Sequence, residues 1–141
     1  MHKKWMKQAL TLSQQALPHC RPNPPVGCVL VKDDQLVSQG HTQSVGGNHA
    51  EIEALNGYRG DLANVTAYVT LEPCSFVGRT PSCANTLVER GIRHVVVAMI
   101  DPDERNNGKG IEILKRAGVK VELGVCHDEV AEFLTPYLGQ S

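Results

Sequence analysis

The sequence predicts a layered α/β domain in which helices cover both faces of one sheet. Three observations carry this reading. Apolar, β-branched runs alternate with helical patterns along the whole chain, Gly and Pro punctuate the joins, and 141 residues suffice for about one domain with its own core. Residues 3–17 place Trp5, Met6, Ala9, Leu12 and Ala16 largely along one helical stripe, and Pro18 stops that helix. The run Pro22-Asn23-Pro24-Pro25 restricts the chain to extended or turn geometry and reads as a rigid approach loop. Residues 26–31 and 35–39 then read as the two strands of a hairpin around an Asp33-Asp34 turn.

After a loop through Gly46-Gly47, residues 49–55 read as a helix with Asn48 as its N-cap. Residues 66–71 form a strand, and Pro73 fits the first turn of a helix or a tight turn, where its missing N–H costs little. A helix over 83–90 starts behind Pro81-Ser82 and ends with Gly91 as its C′ residue. Residues 94–99 make a buried strand, 101–108 a polar loop, 111–117 a helix stopped by Gly118, and 119–123 a last strand. Residues 128–138 close the chain with Val130, Ala131, Phe133 and Leu134 on one apolar face.

Composition excludes several function classes. Fourteen Lys and Arg against fifteen Asp and Glu leave a net charge of -1, which offers no general attraction to nucleic acid or anionic membranes. The basic residues His2, Lys3, Lys4 and Lys7 read as the solvated face of the first helix. Gln8, Ser13, Gln14 and Gln15 interrupt any signal-peptide core, and the longest apolar run, 95–100, is too short to span a bilayer. A cytoplasmic protein is expected, in which five cysteines serve as thiols or metal ligands and do not form a disulfide framework.

The chemistry concentrates in His49-Ala50-Glu51, answered by Pro73-Cys74 and Cys83. One imidazole and two thiolates can hold Zn²⁺ through three protein ligands and leave a fourth position for water, the arrangement of a catalytic site. Singly, a histidine is more often a core residue and a cysteine a small buried hydrophobe. Together they fall at matching edges of adjacent sheet elements. Behind Pro73, Cys74 is expected at a helix N-terminus, whose N–H groups and dipole favour a thiolate. Cys20, Cys28 and Cys126 lack such context and read as structural or incidental. Zinc lowers the pKa of its bound water to about 7, and Glu51 is placed to take that water's proton and return it to a leaving amine. H-x-E followed by P-C and a further cysteine is the signature of zinc deaminases, although here eight residues separate Cys74 from Cys83.

The long spacing has a specific parallel. Thr70-Leu71-Glu72-Pro73-Cys74-Ser75, Gly78-Arg79-Thr80-Pro81 and Cys83 resemble the deaminase domain of the bifunctional riboflavin-biosynthesis protein, diaminohydroxyphosphoribosylaminopyrimidine deaminase. The resemblance extends through Pro22-Asn23-Pro24, Val26-Gly27-Cys28-Val29, Gly47, Asp101-Pro102 and Gly108-Lys109-Gly110. It implies a cytidine deaminase-like α/β/α sandwich on a mixed five-stranded sheet. It also implies Zn²⁺ on His49, Cys74 and Cys83, Glu51 as proton shuttle, Asn23 and Ala50 near the substrate, and self-association. Family members convert an aminopyrimidine bearing a phosphorylated ribosylamino group into the corresponding uracil-type ring and release ammonia. Residues 1–141 are read as one such domain without the family's reductase domain, so that a separate reductase is a possible partner.

The chain departs from the family at Thr42 and Phe76, where histidine is usual, and at Asp103-Glu104, where Asn-Pro is usual. Phe76 cannot donate a hydrogen bond, and Asp103 and Glu104 would repel a phosphate. Arg79 is suited to bidentate phosphate recognition or to holding its own loop. Asp101 is suited to bonding a substrate donor or capping its loop, and Lys109 is equally open. Two alternatives to the riboflavin intermediate therefore stand: a deaminase of another free base, nucleoside or nucleotide, and a non-enzymatic module in which zinc is structural.

Overall fold

The computed structural model describes residues 2–75 and 82–138. Five strands form one mixed sheet: β1 (Gly27–Lys32), β2 (Gln35–His41), β3 (Val65–Leu71), β4 (His94–Met99) and β5 (Lys120–Leu123), in the order β2-β1-β3-β4-β5. β1 pairs antiparallel with β2 and β3, whereas β3, β4 and β5 run parallel. The parallel half needs crossovers, supplied by helices α3 (Cys83–Glu89) and α4 (Lys109–Arg116). The antiparallel half needs only a tight turn. Asp33 and Asp34 make it with φ of 53° and 59°, a left-handed pair that aspartate tolerates, and the Trp5 indole N–H donates to the Asp34 carboxylate at 3.1 Å.

Helix α1 (His2–Ser13) lies against one face of the sheet and α2 (Ala50–Asn56) against the other. The alternation of β1 shows why: a Cβ at Gly27 would overlap the Ala9 carbonyl oxygen of α1, while Cys28 points to the α2 side. Helix α5 (His127–Leu134) joins α1, with the Cys126 thiol 3.8 Å from the Lys3 carbonyl; α3 and α4 line up beside α2. The central strands are buried on both faces, and Val29, Leu30, Val69, Val95, Val96 and Val97 form the middle of the core. None of the described helices is long and apolar enough to cross a membrane.

Three expected boundaries shift. The first helix stops as an α-helix at Ser13 and tightens into a 3-10 turn over Gln14–Ala16, five residues short of Pro18. The second starts at Ala50, so that His49 and not Asn48 occupies the N-cap position. Pro73 opens no helix: residues 72–75 are irregular, and the closing segment is α5 followed by a 3-10 turn over Thr135–Tyr137.

Candidate metal and active site

Each member of the candidate site comes from the end of a sheet connection. His49 ends the loop that follows β2 and takes the extended backbone of an N-cap, with ψ 164°, yet its side chain makes no capping bond. A Ser or Asp there would add about 1 kcal/mol to the helix. The position is given instead to an imidazole that faces two sulfurs. Its Nδ1 lies 3.8 Å from Cys74 Sγ and 3.3 Å from Cys83 Sγ. A tetrahedral ion with Zn–S of about 2.3 Å and Zn–N of about 2.0 Å would separate such donors by about 3.6 Å. The borderline-soft donor set and these spacings both fit zinc, and all three ligand atoms lie within 4.8 Å of one another.

Cys74 is favoured as a thiolate by a different helix from the one the sequence suggests. It stands in the irregular segment after β3, and the backbone N–H of Cys83, the first residue of α3, donates to its sulfur at 3.2 Å. That helix is firmly started, since the Ser82 hydroxyl accepts the Asn85 N–H at 3.2 Å. The Cys74 thiol is pulled down to about 4, first by its hydrogen bond with Cys83 and then, against its own burial, by those with His49 and the Cys83 N–H. Cys83 is pushed upward by the adjacent Cys74 sulfur and by burial, so without a cation the two sulfurs share one proton.

Glu51, in the first turn of α2, is 4% exposed. Burial, then the neighbouring Cys74 charge, pushes its carboxyl up to about 7, in the range where a carboxylate both takes and gives protons near neutrality. His49, Glu51 and Cys74 open on a cavity of about 290 Å³ that Asn23 and Asp101 also line. Ala50 is fully buried under the start of α2 and does not line this cavity. Arg79 and Phe76 lie outside the described residues. Lys109 is exposed and stands away from the cavity wall.

Sequence reasoning missed two supports. Glu72, 3% exposed, accepts backbone N–H bonds from Asp101 at 3.1 Å, Gly108 at 2.9 Å and Ile111 at 3.0 Å. Buried Asn106 adds a bond from its amide to the Pro73 carbonyl at 3.2 Å, and a Cβ at Gly110 would overlap that same carbonyl oxygen. The loop after β4 is thus fastened to the Pro73-Cys74 segment. The available signal was a carboxylate at the end of a β-branched strand, two residues before a ligand. Thr42 is the second support. Its hydroxyl accepts the Val26 N–H at 3.0 Å and donates to the Pro24 carbonyl at 3.0 Å, tying down the loop that carries Asn23. Thr42→Val should cost about 2 kcal/mol, because a buried N–H loses its partner. Urea unfolding checks this, and an unchanged midpoint would refute it.

Asp103 corrects a further expectation. Arg105 grips its carboxylate through Nε at 3.1 Å and Nη2 at 2.6 Å, and these bonds, with that from the Arg105 backbone N–H, hold it down to about 2. Both residues line the cavity, which therefore meets a neutralised pair in place of a lone anion.

Fold and ligand set together define a zinc-binding domain of the cytidine and deoxycytidylate deaminase class, and the family model "Cytidine and deoxycytidylate deaminase zinc-binding region" matches residues 1–99. The diaminohydroxyphosphoribosylamino-pyrimidine deaminase of Buchnera aphidicola from Acyrthosiphon pisum is 43% identical over 129 residues, covering 92% of this chain and 88% of that protein. The riboflavin biosynthesis protein RibD of Aquifex aeolicus is 45% identical over 131 residues, covering 92% of this chain but 36% of its own length. The solved structure of Acinetobacter baumannii RibD, form 2, superposes with a TM-score of 0.93 at 47% identity over 97% of this chain and 39% of that one. The chain belongs to the diaminohydroxyphosphoribosylaminopyrimidine deaminase family, and it spans about a third of the length of the RibD relatives such as that of Aquifex aeolicus, 36%. The cytidine deaminase-like α/β/α sandwich is the fold expected from the sequence.

Proposed function

We propose that this domain deaminates the aminopyrimidine intermediate of riboflavin biosynthesis that bears a phosphoribosylamino group. The observation that carries the reading is the convergence of the His49, Cys74 and Cys83 donor atoms within 4.8 Å of one another, beside a cavity that His49, Cys74 and buried Glu51 line. His49, Cys74 and Cys83 would hold a zinc ion, which would supply a water acidified to a pKa of about 7. Glu51 accepts a proton as the water's oxygen adds to the amine-bearing ring carbon. It then protonates the departing nitrogen, so water is consumed and ammonia released. Asn23 and Asp101, which line the same cavity, orient the ring, and the buried start of α2 at Ala50 positions Glu51. Arg79 is assigned to the phosphate by its residue type and its place in the family motif.

The named activity of the Buchnera relative supports the substrate. The Thermotoga maritima relative, 37% identical with a TM-score of 0.90, carries a 5-amino-6-(5-phosphoribosylamino)uracil reductase in its name, and that uracil is the ring this deamination would deliver. A reductase, fused or separate, is thus the consumer of the product. Self-association and a cytoplasmic setting belong to the same proposal.

Ammonia release from the phosphorylated aminopyrimidine, compared with cytidine, dCMP and adenine, tests the reading. Turnover confined to one of the latter would replace the substrate. A fourth protein ligand in a zinc-loaded crystal would favour a structural module. Asp103→Asn should lower KM for the phosphorylated substrate a few-fold by loosening Arg105, with the gain shrinking as salt rises. A KM that rises or ignores salt contradicts this.

A further inference from the structure

At the far end of β4 from the catalytic cavity, three side chains meet on the α1 face of the sheet. His2 opens α1, His94 opens β4, and Glu122 lies on the neighbouring strand β5. His94 Nε2 is 2.5 Å, and His2 Nε2 2.9 Å, from the same Glu122 oxygen. Each ring's other nitrogen is also engaged: His2 Nδ1 lies 2.6 Å from the Tyr68 hydroxyl and His94 Nδ1 3.1 Å from the Thr66 hydroxyl.

We propose that His2, His94 and Glu122 form a second divalent-cation site, with a two-histidine, one-carboxylate donor set suited to Zn²⁺, Co²⁺ or Ni²⁺. The three donor atoms lie within 4.8 Å of one another, the same compass as the deaminase ligands. The hydroxyls provide the outer layer that orients ligating imidazoles and fixes their tautomer. A hydroxyl both donates and accepts, so each ring can pass its proton from Nε2 to Nδ1 and keep its hydroxyl partner. Nε2 is then free to bind a cation, and the carboxylate exchanges two N–H donors for one metal ion. Glu122 is held below its usual range, first by the His94 bond, and is an anion at neutral pH. Imidazole nitrogens select against Ca²⁺ and Mg²⁺, which take oxygen ligands. All three side chains are about one-quarter to one-third exposed, at 36%, 24% and 34%, which leaves room for water to complete the coordination. An ion there would pin the first turn of α1 to the parallel half of the sheet.

The test starts from the full chain loaded with one equivalent of zinc. Co²⁺ is then titrated at neutral pH and followed by equilibrium dialysis with metal analysis and by absorption. One further equivalent is expected, with ligand-field bands of a nitrogen and oxygen site and no new thiolate-to-metal charge-transfer band. His94→Asn and Glu122→Gln should lose this equivalent while retaining the first zinc, which reports that they fold. Tyr68→Phe keeps all three ligands and should weaken Co²⁺ binding by roughly 10- to 100-fold, the usual cost of removing an outer-layer partner. Failure of the wild type to take a further equivalent would overturn the proposal. So would an equivalent that persists in both ligand variants, or an affinity unaffected in Tyr68→Phe; the trio would then be a hydrogen-bonded knot only.

Discussion

Glu51→Gln is expected to reduce the rate of ammonia release by about 10⁴-fold, the upper end of what a positioned proton-transfer group contributes. The amide is isosteric with the carboxyl and can still lie in the same buried slot against α2. It has no proton to give at neutral pH and no basicity with which to take one. Zinc content, measured on the purified variant, should be unchanged, because His49, Cys74 and Cys83 are untouched. A Glu51→Gln protein that turns over within tenfold of wild type would remove Glu51 from the chemistry. One that loses zinc would instead show a role in building the site.

Glu72→Gln is expected to have the second-largest effect, although Glu72 need never touch a reacting atom. Its Oε1 accepts two backbone N–H groups and its Oε2 a third, from Ile111 in the interior. An amide oxygen can satisfy only one side of that arrangement, and the –NH₂ on the other must face an N–H. The loss should be about 3 kcal/mol, given that bonds to charged groups each contribute roughly 1.5–3 kcal/mol. For a domain of this size that is about 10 °C in melting temperature. With the loop after β4 loosened, Asp101 loses its fixed relation to Cys74 and kcat/KM should fall more than tenfold. Calorimetry and steady-state assays on one preparation check both, and a melting temperature within about 2 °C of wild type would contradict the role.

The two residues illustrate what a sequence discloses. His49, Glu51, Cys74 and Cys83 were legible because their identities are intelligible only as a set, and because strand ends and helix starts could be placed from β-branched runs and Gly or Pro joins. Glu72 carries no such mark. A carboxylate at a strand end is ordinarily solvated, and its burial depends on a loop over thirty positions away folding back on it. Thr42 stands in the sequence only as a departure from the family's usual histidine, whereas its hydroxyl is spent on the backbone at Pro24 and Val26. Asp103 stands in the sequence as a repulsive charge because its partner, two residues on, is a loop contact with no periodic signature. The N-cap at His49 escaped because propensity favours Asn48, and the metal-facing role overrides it.

The sheet's division into an antiparallel and a parallel half bears on how the protein comes off the ribosome. His49 belongs to the hairpin half and both sulfurs to the parallel half, so the three donors are neighbours only after β3 has docked along β1. A nascent chain that has emerged no further than residue 82 holds two of the three donors and lacks the N–H that steadies Cys74. The donor set is therefore complete only once α3 begins to form, with β4, β5 and their helices still to follow.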